Sequence, residues 1–371
     1  MIRVTIYMPT LEGGGAERAM VDLANGLEAE GLKTDLVVIR EDGPWRQLLS
    51  DNVRLIAIRS RGALPGFVKL LYYLRRARPE VVLANGASSI ILATLARWLT
   101  PRFIVIARIP TNLSAGLAKV NLKWRIIRTV QASLLPQADA IVTNSSGSSE
   151  DIARNLPAAS GKIHTIHNPV VGPNMADEAR QPVAHPWFHS HGPPIILAAG
   201  RLDPAKDYGT LMRAFALVAQ RREVRLVVLG EGPERRSLVK LTHELGVAHR
   251  VDFPGFHANP FAFMAKARLF VLSSKQEGMP NVLIQAMACG TPVVSTDCPS
   301  GPREVLEDGH WGPLVPVGDA EALADAMSTT LDRALPPASL TTRAAAFSAD
   351  GSIRAYVRLI EELRRPAAGL V

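Results

Sequence analysis

The chain has very little cysteine. Its two residues, Cys289 and Cys298, cannot build a disulfide framework, and their placement fits neither a metal knuckle nor a redox pair. Both read as free, reduced thiols. Histidine is missing from residues 1–163. Long apolar runs are missing too: the longest, near SSIILATLARWL, is broken by Arg97 after about ten residues, too short to span a bilayer. The amino terminus enters an apolar strand, RVTIYMP, without a basic-apolar-cleavage leader. These absences point to a cytoplasmic protein. Acids are scarce in one band, where residues 54–128 hold 14 Lys and Arg against the single acid Glu80. Residues 1–170 hold 21 basic and 13 acidic side chains, so the first half carries the whole net charge of +8.

What is present is a regular alternation. Apolar runs of four to six residues, separated by helix-length segments, indicate buried parallel strands in βαβ units. The first series runs RVTIYMP, KTDLVVIR, VRLIAIR, EVVLANG, FIVIAR and DAIVTNS. The second runs PIILAAG, RLVVLG, VDFPG, ARLFVLSS, TPVVSTD and GPLVPVG. The fold class is α/β, with two Rossmann-like, doubly wound domains at residues 1–168 and 195–350. The Pro-rich, polar stretch 169–194 reads as a linker, and 351–371 as a terminal helix. Ligands of such sheets bind beyond the carboxyl ends of the strands, so chemistry is expected in the loops that follow them.

Four of those loops are unusual. MPTLEGGGAERAM places Gly13, Gly14 and Gly15 at a helix start, an anion site or a plain turn. A dinucleotide fingerprint needs a third glycine where Arg18 stands. AAGRLDPAKDYGTL sets Arg201 and Lys206 beside a helix that Asp207 can cap, a pairing that suits a diphosphate. The alternative is a solvated loop with Arg201 paired to Asp203. In QEGMPNVLIQ, Glu277 hangs over a helix start, with Pro280 expected at the first helical position and free N–H groups on Asn281 and Val282. There Glu277 can accept two hydroxyl hydrogen bonds, and Gln285 can reach the same space. STDCPSGPREVL reads as a capped helix.

In order and spacing these loops resemble the family-4 retaining glycosyltransferases of GT-B fold. The likeness runs through GGGAERAM, GRLDPAKDYGTL, LGEGPERRSL and EGMPNVLIQAMACGTPVVSTDCPSGPREVL. It implies a nucleoside-diphosphate sugar as co-substrate, with uridine the expected base. Arg201 and Lys206 would hold the diphosphate and stabilise charge in transfer. Glu277 would bind hydroxyls of the transferred sugar, with backbone N–H groups of Gly278, Met279, Pro280 (which has none), Asn281 and Val282 lining sugar and phosphate. Position 285 would meet the ribose, Gly255 and Phe256 would frame the base, and Gly13 to Gly15 would approach the phosphates. The final helix would cross back onto the first domain. Two departures stand out. The family usually has Glu where Gln285 stands, and many members carry a His where Pro110 falls, leaving Arg108 and Asn112 as acceptor-side candidates. No Asp-x-Asp occurs, and two fixed cations can replace a metal, so neither metal nor other cofactor is expected.

PGFVKLLYYLRRAR and GLAKVNLKWRIIRTVQASLL mix basic, aliphatic and aromatic residues at helical spacing. Such a face suits an anionic membrane surface, and no recognition motif for nucleic acid accompanies it. With a sugar-transfer site this suggests a lipid-linked saccharide acceptor on the inner face of the cytoplasmic membrane. A sugar-nucleotide epimerase, a non-catalytic nucleotide-sugar-binding protein and a dehydrogenase are the competing readings.

Overall fold

The computed structural model describes residues 1–12, 14–100, 102–112, 122–189 and 192–365. They fall into two compact units, Met1–Pro169 with Ala349–Val371, and Val170–Ser348.

The first unit is a seven-stranded parallel sheet of β1 (Arg3–Thr10), β2 (Lys33–Arg40), β3 (Arg54–Ala57), β4 (Val81–Asn85), β5 (Ile104–Ile109), β6 (Ala140–Thr143) and β7 (Ile163–Thr165). Their order is β3-β2-β1-β4-β5-β6-β7. Helices α1 (Gly15–Ala29), α2 (Ala63–Ala77), α3 (Ala87–Arg97), α4 (Leu122–Leu134) and α5 (Ser146–Asn155) connect the strands. The three-residue edge strand β7 was not among those expected, because KIHTI is too short and too mixed to read as a buried run.

The second unit continues with α6 (Met175–Arg180), then β8 (Ile195–Ala199), α7 (Tyr208–Arg221), β9 (Arg225–Leu229), α8 (Arg235–Glu244), β10 (Val251–Gly255), α9 (Phe261–Lys266) and β11 (Leu269–Leu272). It ends with α10 (Asn281–Ala288), β12 (Val293–Thr296), α11 (Pro302–Val305), β13 (Leu314–Val315), α12 (Ala320–Asp332) and α13 (Pro337–Ala344). Its strand order, β10-β9-β8-β11-β12-β13, repeats that of the first six strands of the other unit, with no counterpart of the edge strand β7. The order reverses at β1/β4 and at β8/β11, and a doubly wound sheet opens a crevice for ligands at such a reversal. The central strands are fully buried, as helices on both faces require.

Two expectations need correcting. Stretch 169–194 is not a bare linker. Val170, Met175 and Val183 are buried in the core of the second unit, and Val171 bridges Ser348. Three isolated apolar residues carry no period, so their burial is set by tertiary packing. The final helix, α14 (Ala349–Arg364), begins two residues before the expected 351. Its Ile353, Tyr356, Leu359 and Ile360 enter the core of the first unit.

Candidate functional site

The second unit's reversal point is flanked by the loop after β8, which carries Arg201 and Lys206, and the loop after β11, which carries Glu277. The structure brings Lys206 and Glu277 together. The Lys206 ammonium lies 2.6 Å from Glu277 Oε1, with the lysine side chain 21% and the carboxylate 9% exposed. Ser274 Oγ donates to the same oxygen at 2.6 Å. Oε1 is thereby taken up inside the loop pair, and Oε2 makes no hydrogen bond among the described residues. Burial acts to lower the Lys206 pKa, but Glu277 outweighs it with help from Asp203, and the ammonium sits above its ordinary value. Burial pushes the neighbouring Cys298 thiol up to about 12, and the Glu277 charge adds to the effect.

Arg201 is exposed and has no side-chain partner among the described residues. The pairing with Asp203 considered above is not made; Asp203 Oδ1 instead accepts from the Ala205 N–H at 3.0 Å. A guanidinium on a held loop, with nothing to neutralise it, is available to an anion. The loop is held from the β9 side. Leu202 N–H donates to Glu231 O, and Glu234 N–H to Leu202 O. A Cβ on Gly232 would lie 2.3 Å from Leu202 O, and one on Gly230 2.0 Å from Gly200 O. These two glycines permit a backbone approach that any side chain would block. The stretch LGEGPERRSL showed its resemblance in the sequence, but not this supporting role.

The turn after Glu277 also differs in detail from expectation. Pro280 is the N-cap and Asn281 the first helical residue of α10. Asn281 N–H donates to Met279 O at 3.0 Å. The N–H groups of Gly278, Met279 and Val282 have no acceptor among the described residues, so the helix start still presents donors. Gly301, at φ +57, lets the following loop press on this turn; a Cβ there would meet Pro280 Cδ at 2.5 Å. Gln285 lies one turn into α10 and is 8% exposed. Its amide makes no hydrogen bond among the described residues. Gly255 closes β10 at φ +91, and Phe256 beside it is exposed.

In the first unit, Gly14 is the N-cap of α1 and accepts from Trp45 Nε1 at 3.0 Å. Gly13 lies outside the described residues, and Gly15 is exposed. The Glu17 carboxylate folds over the turn, so close that a Cβ on Gly14 would lie 2.0 Å from its Oε2. An anion arriving there meets a carboxylate already in place, which corrects the simple phosphate reading of this loop. Arg108 is corrected as well. It is 1% exposed, and its guanidinium donates to Asn85 Oδ1 at 2.6 Å and to Asn168 Oδ1. It joins β4, β5 and the segment around Asn168 inside the unit, away from solvent. Asn112 is buried and accepts from Ser148 Oγ at 2.7 Å. Among the described residues no cluster of three or more His, Cys, Asp or Glu could hold a metal ion, and no helix is long and apolar enough to cross a membrane.

Comparison with known proteins agrees with this layout. The family model described as Glycosyltransferase Family 4 matches residues 13–171, and the one described as Glycosyl transferases group 1 matches residues 193–333. The N-acetylgalactosamine-N,N'-diacetylbacillosaminyl-diphospho-undecaprenol 4-alpha-N-acetylgalactosaminyltransferase of Campylobacter jejuni is 30% identical over 90% of this chain and 91% of its own. The lipopolysaccharide core biosynthesis glycosyltransferase LpsE of Rhizobium meliloti is 30% identical over 94% and 96%. The crystal structure of Anabaena HepE in complex with UDP and glucose superposes with a TM-score of 0.81 at 20% identity, covering 98% of this chain and all of that one. With two Rossmann-like sheets of matching strand order and relatives aligned along nearly its whole length, the chain has the GT-B fold and belongs to the family-4 glycosyltransferases.

Proposed function

We propose that this glycosyltransferase moves a hexose-type sugar, with retention, from a UDP-sugar to a lipid-linked saccharide in surface glycan assembly. The observation that carries the reading is the Lys206–Glu277 contact of 2.6 Å at the reversal point of the second sheet, with the unpaired Arg201 on the same loop. The two cations take the diphosphate. Glu277 Oε2 and the free N–H groups at the start of α10 take the sugar and its phosphate oxygens, and Gln285 takes the ribose. Gly255 and Phe256 frame the base. The acceptor hydroxyl oxygen bonds to the anomeric carbon on the face that the nucleoside diphosphate leaves. The bond from anomeric carbon to phosphate oxygen breaks, its electron pair stays with the diphosphate, and the hydroxyl proton passes to a β-phosphate oxygen. Arg201 and Lys206 stabilise the charge that develops there, so the reaction needs no metal. The UDP in the Anabaena neighbour and the undecaprenol-linked substrate in the name of the Campylobacter relative are compatible with this donor and acceptor.

Thermal-shift measurement with UDP, GDP, ADP and NAD, on wild type and Arg201→Ala, tests the donor. At 100 times its dissociation constant a ligand adds about 2.7 kcal/mol. A UDP shift lost in the variant is expected; a shift with NAD alone overturns the reading.

The same reading places the protein peripherally on the inner face of the cytoplasmic membrane. Helix α2 is apolar on two sides. Leu70 and Leu74 enter the core, while Leu64, Val68 and Tyr72, spaced by one turn, are exposed at 73%, 57% and 65%. Arg75 and Arg76 flank the outer stripe, and α4 adds exposed Trp124, Ile126 and Arg125. Of the basic residues considered for this face, Lys119 and the Lys123 side chain lie outside the described residues. Each basic residue near an anionic surface is worth about 1 kcal/mol. Arg75→Glu with Arg76→Glu and Arg125→Glu is therefore expected to release the protein from anionic vesicles, and unchanged co-sedimentation would sink the membrane assignment.

A further inference from the structure

The Lys206 side chain is held by Glu277, but its main chain is held by residues that the donor reading leaves without a role. Asp207, the next residue, is in the left-handed region at φ 47, ψ 44, which a residue with a Cβ adopts at a cost. It is 6% exposed, and its carboxylate caps no N–H of α7. The carboxylate instead receives Lys275 Nζ at 2.9 Å and Thr210 Oγ1 at 2.8 Å. Lys275 makes a second connection, its own N–H donating to Ala205 O at 2.8 Å. One residue therefore grips the chain on both sides of Lys206, at the main chain of 205 and the side chain of 207. Ser273 Oγ closes the set, donating to Lys206 O at 2.8 Å.

We infer that Lys275 and Asp207 are positioning residues that fix where the Lys206 ammonium meets a nucleoside diphosphate. The inference rests on the reading of Lys206 as a diphosphate-binding cation. A lysine has a flexible four-carbon stem, and its charge is placed only as well as its Cα is placed. Small displacements of a positioning group carry large penalties in transfer reactions. The carboxylate at 207 and the ammonium at 275 act through the backbone of residues 205–207, with no contact to the ligand required.

The experiment is UDP titration by calorimetry on the full chain, with melting temperature recorded alongside. Asp207→Gly removes the carboxylate while relaxing the left-handed backbone. Asp207→Asn keeps an acceptor oxygen and tolerates that backbone. Lys275→Met removes the ammonium. Asp207→Gly and Lys275→Met are each expected to weaken UDP binding about tenfold, and Asp207→Asn to stay within about threefold of wild type. Wild-type affinity in Asp207→Gly would show that position 207 supplies only a turn, and would overturn the inference. Weakening in Lys275→Met alone would mean that Lys275 touches the ligand itself, which also overturns it. Should Lys275→Met unfold, Asp207→Gly against Asp207→Asn carries the test. Lys206→Ala separates the two levels. If UDP binding survives that change, the donor reading fails; if it is lost while the bracket variants bind normally, the positioning inference fails alone.

Discussion

Glu277→Gln is the most informative single change. The substitution preserves shape and turns the acceptor shared by Lys206 and Ser274 from a charged oxygen into a neutral one. Hydrogen bonds to a charged group contribute about 1.5–3 kcal/mol, against about 1 kcal/mol for neutral pairs. Lys206 is one-fifth exposed, so water recovers part of the difference. A loss of about 1–2 kcal/mol is expected for the unliganded protein, or roughly 2–8 °C in melting temperature for a domain of this size. UDP should narrow the gap in stability. Its diphosphate offers the under-neutralised ammonium a new anionic partner, so the UDP-induced shift in melting temperature should be larger in the variant than in wild type. Sugar transfer should nevertheless be lost, because the acceptor Oε2 is replaced by an amide NH2 group, which donates and cannot accept from the sugar hydroxyl. Differential scanning fluorimetry with and without UDP, and a transfer assay from UDP-sugars, read the two effects separately. A variant that keeps its turnover, or that gains less from UDP than wild type does, refutes the assignment of Lys206 to phosphate and Glu277 to sugar.

Three further outcomes are expected. Gln285→Glu should tighten UDP binding about tenfold if the amide faces the ribose diol, and unchanged calorimetric affinity would remove Gln285 from the site. Gly232→Ala puts a methyl group 2.3 Å from Leu202 O, so the Arg201 loop must move; a stability loss of about 1–3 kcal/mol in urea unfolding should accompany weaker UDP binding. Burial pushes both thiols up to about 12, so Cys289 and Cys298 should resist iodoacetamide at neutral pH until denaturant is added.

Strand positions and loop placement were legible because buried parallel strands leave unbroken apolar runs, and because the loops after β8 and β11 concentrate charge and glycine. What stayed illegible depends on side chains meeting across long sequence separations. Nothing near Arg108 signals that Asn85 and Asn168 will enclose it. Nothing in PAKDY or SSKQE says that Lys275 will reach back to Asp207. Glu17 over Gly14 is a local contact, yet its fold-back is a rotamer choice that spacing cannot reveal. The stretch 169–194 misled for a related reason: its apolar residues are too sparse to make a pattern, and they are buried by the elements around them.

The discontinuity of the first unit bears on how the chain is made. Its core includes five residues of α14, and Gly26 packs so tightly on Ile353 that a Cβ would come within 2.1 Å of it. Residues 170–348 must be synthesised before that helix exists. At translation rates of about 5–20 residues per second, the finished sheet and its helix α1 wait roughly ten to forty seconds for that last partner. The amino-terminal unit, although begun first, is therefore completed last. A ribosome stalled anywhere in the second unit holds a finished sheet with an open flank, a natural substrate for chaperones.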